Sequence, residues 1–230
     1  MPNPPPPHPW HPALTGVSLL LVDFDGPLVR LLPDPEHVRL TARLAQWYAD
    51  RGGQPPATTD HVQLLRHVHA HHPDLAADAE HLMTEAELAA AAAHSAYADA
   101  IGFLSDWQAA GGHVAIVSNN AEEAVRRVLT RSGLGTDGTW TVHARRPGGI
   151  ARLKPAPDLL LEAMTAHAAT PDGAVMIGDT PSDVRAGSAA GVRTIGVTDS
   201  ADQAQALHTA GAATMIRRLV DLSMTDTPGG

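Results

Sequence analysis

The 230-residue chain contains no cysteine. Disulfide frameworks, thiol nucleophiles and thiolate metal sites are therefore excluded. Aromatic residues make up only 3% of the chain, so its core must be assembled from Leu, Val, Ile and Ala. No stretch approaches the roughly 18 apolar residues of a membrane span, and a membrane partner is not expected. No basic segment followed by an apolar one stands near the start, so no signal peptide is expected and the cytoplasm is the expected location. Positive charge is scarce as well: 16 Lys and Arg face 25 Asp and Glu, a net charge of −9. That balance argues against a nucleic-acid partner, which needs a basic patch. It also means that an anionic ligand needs a local positive field, for which a bound metal is the obvious source.

Lysine is rarer still. Fifteen of the sixteen basic residues are Arg, and the one lysine is Lys154. Compositional bias that replaces Lys by Arg accounts for this, and so does a site where a planar guanidinium cannot stand in for a compact ammonium. The location of Lys154 decides between them.

What is present is a chain of 43% hydrophobic residues, enough for one globular domain with a modest insertion. Residues 1–13 are Pro-rich and read as a poorly ordered arm, and 225–230 as a frayed tail. Short apolar runs of strand length fall at 17–24, 113–118, 140–144, 174–178 and 194–198. Helical patterns at 121–132, 158–168, 182–190 and 201–210 separate the later runs. Strand and helix in alternation predict a doubly wound parallel α/β sheet. The interval 30–98 breaks that rhythm, with helices near 35–51, 59–72 and 84–98, the last running into another that ends near Gly111. The expected organisation is a core of 14–29 plus 99–224 and an inserted helical cap of 30–98, hinged near 29–32 and 98–102.

Ligands of open parallel sheets bind beyond the carboxyl ends of the strands. There the chain places Asp23 and Asp25, then Ser118-Asn119-Asn120, then Asp179 and Asp183, with Lys154 in the loop before the helix that leads to the fourth strand. Asp23 can attack phosphorus as a carboxylate nucleophile, and Asp25, two residues on, can act as acid and base. Asp179 adds a hard oxygen for magnesium. Ser118 can donate to a phosphate oxygen, and Lys154 supplies fixed positive charge. Each feature has a plainer reading. Asp25-Gly26 is a common turn, and Ser118-Asn119-Asn120 can cap a helix. Thr180-Pro181-Ser182-Asp183 is a good helix start. Asp183 can cap that helix while orienting Lys154 or a metal-bound water.

In order and spacing these residues resemble the haloacid dehalogenase superfamily, in its phosphoglycolate phosphatase-like and β-phosphoglucomutase-like branch with a helical cap. The matching stretches are Asp23-Phe24-Asp25-Gly26-Pro27-Leu28, Ser118-Asn119, Lys154-Pro155, and Gly178-Asp179 with Asp183. The resemblance implies a magnesium-dependent phosphatase of small phosphorylated metabolites, monomeric or homodimeric, working through an aspartyl phosphate. It implies Asp23 as nucleophile and Asp25 as acid/base, both on the metal, the latter through its carbonyl. Asp179 would complete the metal ligands, and Ser118, Asn119 and Lys154 would hold phosphate. Pro27 departs from the Thr or Val usual in the family.

Other chemistries of this fold compete. A dehalogenase would lack the second acid, which Asp25 supplies. A phosphonate-cleaving enzyme needs a cap lysine, and 30–98 has none. A phosphosugar mutase and a catalytically weak binding protein remain alternatives. His67 and His71 have the spacing of a helical zinc pair, but a solvated His-rich helix end explains them too. Arg30, Arg39, Arg43 and Arg66 can reach a second anionic group or serve as surface charges, and for most of them the surface role is expected.

Overall fold

A computed structural model describes residues 10–135 and 140–224. Residues 1–9 of the expected arm at 1–13, and the expected tail at 225–230, lie outside them.

The chain begins its sheet with β1 (Leu19–Val22), four residues wholly shielded from solvent. β1 is flanked in parallel by β2 (His113–Ala121) and β4 (Ala174–Gly178). β3 (Trp140–Arg145), β5 (Arg193–Val197) and β6 (Thr214–Ile216) complete a six-stranded sheet in the order β3-β2-β1-β4-β5-β6. β6 is not among the strands expected from sequence, because three residues on the sheet edge carry too little pattern.

Side chains alternate across a strand, and β1 shows the consequence. Leu20 and Val22 face one layer, with Phe103, Leu104 and Val128. Leu19 and Leu21 face the other, with Leu159, Leu160 and Ala186. The helices supplying those layers are α4 (Ala98–Ala109) and α5 (Glu122–Arg131) on the first face, and α6 (Asp158–Ala166) and α7 (Pro181–Ala189) on the second. α8 (Ala201–Ala210) packs on α7 and ends at Gly211, where a φ of 107° is what glycine permits. No described helix is long and apolar enough to cross a membrane.

Between β1 and β2 come α1 (Glu36–Ala49), α2 (His61–His71) and α3 (Ala76–Ala91). They share a cluster of their own, in which Leu40, Leu44 and Tyr48 meet Leu64, Leu65, Val68 and Met83. α3 starts eight residues before the expected 84. Its buried face explains why: Ala79, Glu80, Met83, Glu87 and Ala91 follow helical spacing, but two of them are acids. Glu80 and Glu87 bury against Arg145 of β3, at 3.6 and 2.7 Å. Glu87 also accepts from the Ala121 amide at 2.9 Å and the Asn120 side chain at 3.2 Å.

A second difference lies at the N-terminal side. Trp10, within the stretch expected to be poorly ordered, packs edge-on to Phe103 and Trp107 at 5.7 and 5.2 Å. The His11 amide donates to Leu222 O at 2.9 Å, fastening this segment beside the last turn of the described chain.

Removing one partner of a buried ion pair strands the other without compensation. Glu87→Ala is expected to lower unfolding stability by about 3 kcal/mol or more in urea titrations, with Glu87→Gln in between. An unchanged midpoint for Glu87→Ala would mean that α3 is held to the sheet by other contacts.

Candidate active site

Strand register assembles the site. Val22 pairs with Ile116 on one side and Ile177 on the other, and the Asp23 amide donates to Ile177 O at 2.8 Å. Asp23 therefore leaves β1 level with Val117 of β2 and with Gly178, the last residue of β4. β2 and β3 pair up to Val117↔His143 and resume at Ala121↔Arg145, so Ser118, Asn119 and Asn120 bulge out of the ladder. On the other side, Asp179 follows directly from β4. The sequence of crossovers reverses at β1, which is where such sheets open a crevice.

Into this crevice comes Lys154, whose side chain is 2% exposed. Its Nζ lies 2.7 Å from Asp23 Oδ1 and 2.6 Å from Asp183 Oδ1, and donates to Val117 O at 2.9 Å. The three oxygens take up the three protons of an ammonium. Burial alone would lower the Lys154 pKa, but the carboxylates of Asp183 and Asp23 outweigh it and hold the ammonium well above its ordinary value. Asp183 serves twice. Its Oδ2 accepts from the Thr180 amide at 2.9 Å and hydroxyl at 2.7 Å, closing the start of α7, while Oδ1 meets Lys154.

The acids crowd each other. One carboxylate oxygen each from Asp23, Asp179 and Asp183 lies within 4.8 Å of the others. Burial, then the charge of Asp183, pushes the Asp23 carboxyl up to about 7, although Lys154 pulls it down. Asp179 is raised well above its usual value by burial and by Asp23, Asp183 and Asp25. Its Oδ1 is buried with no hydrogen-bond partner. Hard oxygens, an excess of negative charge and an unpaired carboxylate atom together fit magnesium, with Asp23 and Asp179 as side-chain ligands. Gly26 keeps the space open. Its φ is 114°, and a Cβ there would meet Asp179 Oδ2 at 2.2 Å. Asp25 stands apart from the three: its Oδ1 accepts from the Leu31 amide at 2.9 Å, and burial raises its pKa. Any part it takes in holding a metal would fall to its backbone carbonyl.

The phosphate-side residues are arranged differently from the expectation that Ser118 presents its hydroxyl. Ser118 is fully buried, donating to Asn120 Oδ1 at 3.0 Å and accepting from the Asn120 amide at 3.1 Å. Asn119 clamps the Lys154 peptide, accepting from its amide at 2.8 Å and donating to its carbonyl at 3.0 Å. The helix α5 is not capped by these side chains, so the capping alternative falls away. Pro27 costs the first turn nothing: its closing bonds come from the amides of Gly26, Leu28 and Val29. In the histidine cluster of α2, the His67 and His71 rings stack at 4.0 Å and Tyr48 is edge-on to His67.

A cavity of about 480 Å³ opens over Asp23, Asp25, Asn119 and Lys154, roofed by Arg30, His61 and Arg66 of the inserted segment. A family model described as haloacid dehalogenase-like hydrolase matches residues 17–191. The chain belongs to that family. It is similar to phosphoglycolate phosphatase 1 of Pseudomonas aeruginosa, 29% identical over 228 residues, which span 89% of this chain and 78% of the relative. A hydrolase of the same family from Deinococcus radiodurans, solved with bound phosphate and sodium, is 27% identical with a TM-score of 0.59, covering 90% and 93% of the two chains. A haloacid dehalogenase-like hydrolase from Bacteroides fragilis shares the fold at 21% identity, with a TM-score of 0.68 and coverage of 90% and 99%.

Several residues of this haloacid dehalogenase-like hydrolase take roles that the sequence does not assign. Gln203 donates to Asp179 O at 2.6 Å, Asn120 lines the cavity, and Glu87 holds Asn120 from α3. Gln203 and Glu87 belong to no run with a recognisable spacing, whereas Asn120 stands in the Ser118-Asn119-Asn120 turn already marked by the sequence, though without a role of its own. Arg66, open from sequence to a surface role or a site role, lines the cavity, whereas Arg39 pairs on the surface with Glu36 at 3.7 Å.

Two measurements check this geometry. Magnesium is expected to raise the melting temperature of the wild type in a concentration-dependent way and to leave Gly26→Ala and Asp179→Ala unmoved. An equal rise in all three would place the ion elsewhere. His61 supplies a pH test. Burial pushes its pKa down to about 4 from the ordinary 6.5. The folded protein therefore binds this proton less readily than the unfolded chain, and stability falls as pH drops from 6.5 towards 4. His61→Asn is expected to show a shallower fall across that window in denaturant titrations, and an identical slope would contradict the assignment.

Proposed function

We propose that this chain is a magnesium-dependent phosphatase that hydrolyses a small phosphomonoester through a phosphorylated Asp23. The observation that carries the reading is the Asp23 carboxylate held on a buried ammonium at the end of the central strand, open to a cavity and within 4.8 Å of two further acids. Family membership and the likeness to a phosphatase support it.

Asp23 attacks phosphorus with one carboxylate oxygen while the bond to the ester oxygen breaks. Asp25 gives its proton to the departing oxygen, a role its raised pKa favours. As a carboxylate it then takes a proton from water, whose oxygen attacks the same phosphorus and releases Asp23 and inorganic phosphate. Lys154 keeps Asp23 in place and faces the charge of the transferring group. The turn of Ser118 and Asn119 shapes the phosphate side, the latter by fixing the Lys154 peptide. A divalent ion on Asp23, Asp179 and the Asp25 carbonyl would keep the carboxylates ionised and screen Asp23 from the anion it attacks. Asp183 contributes from behind, through Lys154. The cytoplasm is the proposed setting, and the relative's name makes phosphoglycolate the first substrate to try.

The test is release of phosphate from p-nitrophenyl phosphate and phosphoglycolate with and without magnesium. Asp23→Asn is expected to lower turnover by on the order of 10³-fold or more, and Asp25→Asn by about 10²–10⁴-fold. Pro27→Thr is expected to change it only modestly, since no amide is wanted there. Release that persists in Asp23→Asn would refute the mechanism.

A further inference from the structure

Arg66 is half-buried on α2, inside the helical insertion, yet it turns one guanidinium nitrogen onto the other part of the molecule. Its Nη2 donates to Leu153 O at 2.9 Å and also to Lys154 O. These are main-chain carbonyls of the loop that carries the buried ammonium. Among the described residues, the Lys154 peptide is otherwise held by Asn119 alone, on its amide at 2.8 Å and its carbonyl at 3.0 Å. Among the described residues, Arg66 is thus the one side chain of the insertion that grips this peptide. The same join is reinforced by packing, since Ile150, four residues before Lys154, is buried in the cluster of α1, α2 and α3.

The consequence is mechanical. Lys154 Nζ sits between Asp23 and Asp183 with hydrogen-bonding distances on both sides. Such a bridge tolerates little movement of its own backbone. A displacement of α2 relative to the sheet would pull directly on the carbonyl of the residue that bears the ammonium. An arginine serving only as a surface charge would donate to water. An arginine serving only to read substrate would not turn Nη2 onto two main-chain carbonyls.

We propose that Arg66 is a positioning residue that ties α2 to the Lys154 backbone, so that the seating of the helical insertion over the cavity sets the ammonium on Asp23. The inference rests on the phosphatase reading above for its kinetic consequence, but the tie itself does not. A tie acts on the reacting centre whatever the leaving group, so it alters kcat for every substrate alike. A substrate-reading arginine instead alters KM, and does so most for a substrate with a second anionic group.

Steady-state kinetics of Arg66→Ala and Arg66→Lys with p-nitrophenyl phosphate and phosphoglycolate, together with amide hydrogen exchange across residues 150–156, test this. Arg66→Ala is expected to lower kcat by about ten- to a hundredfold for both substrates, the scale of a small misplacement at a reacting centre, with KM within about twofold. Exchange across 150–156 is expected to quicken, and Arg66→Lys, which keeps one charged donor, to recover most of both. A raised KM for phosphoglycolate with kcat retained, or unchanged exchange, would overturn the proposal. Quickened exchange in a protein whose wild type releases no phosphate would uphold the tie and reject the phosphatase reading.

Discussion

Lys154 Nζ reaches Asp23, Asp183 and Val117 O at 2.7, 2.6 and 2.9 Å, inside a protein of net charge −9. Three carboxylates drawn together at a strand edge repel one another, and burial penalises each charge further. The ammonium makes the gathering tolerable and gives Asp23 one defined orientation. It also accounts for the composition. Fifteen arginines serve elsewhere, but a planar fork cannot place three donors on oxygens arranged around a point. The single lysine stands where only a compact cation fits.

The rest of the structure supports that contact. Parallel pairing of β1 with β2 and β4 brings Asp23 level with Val117 and with the start of the Asp179 turn. The break in the β2–β3 ladder frees Asn119 to clamp the Lys154 peptide. Asp183 is fixed by capping α7 before it meets the ammonium. From the helical insertion, Glu87 reaches Asn120 and Arg66 reaches the Lys154 loop. The insertion thus touches the site on both flanks, at the bulge beyond β2 and at the lysine.

The sheet and its carboxylates are legible in the sequence because each stands beside a strong local pattern. An apolar run of strand length leads to Asp23, another to Ser118 and a third to Asp179. What cannot be read is whatever depends on a partner distant in sequence. The buried face of α3 contains Glu80 and Glu87, which read as solvent-facing acids until Arg145 is placed opposite them. Arg66 looks like any surface arginine until two carbonyls 87 and 88 residues away turn towards it. The sequence suggests a Ser118 hydroxyl facing phosphate, but the bulge that exposes Asn119 turns it onto Asn120 instead. Trp10 lies in a proline-rich stretch, and only the packing of Phe103 and Trp107 gives it a fixed place.

The shape of the cation matters as much as its charge. The turnover number of Lys154→Arg with p-nitrophenyl phosphate and magnesium tests this most directly. A loss of at least about 10²-fold, the cost of removing one well-placed donor from a reacting centre, is the expected result although the charge is retained. A turnover number close to that of the wild type would show that charge alone suffices, and would contradict a site built around a compact ammonium.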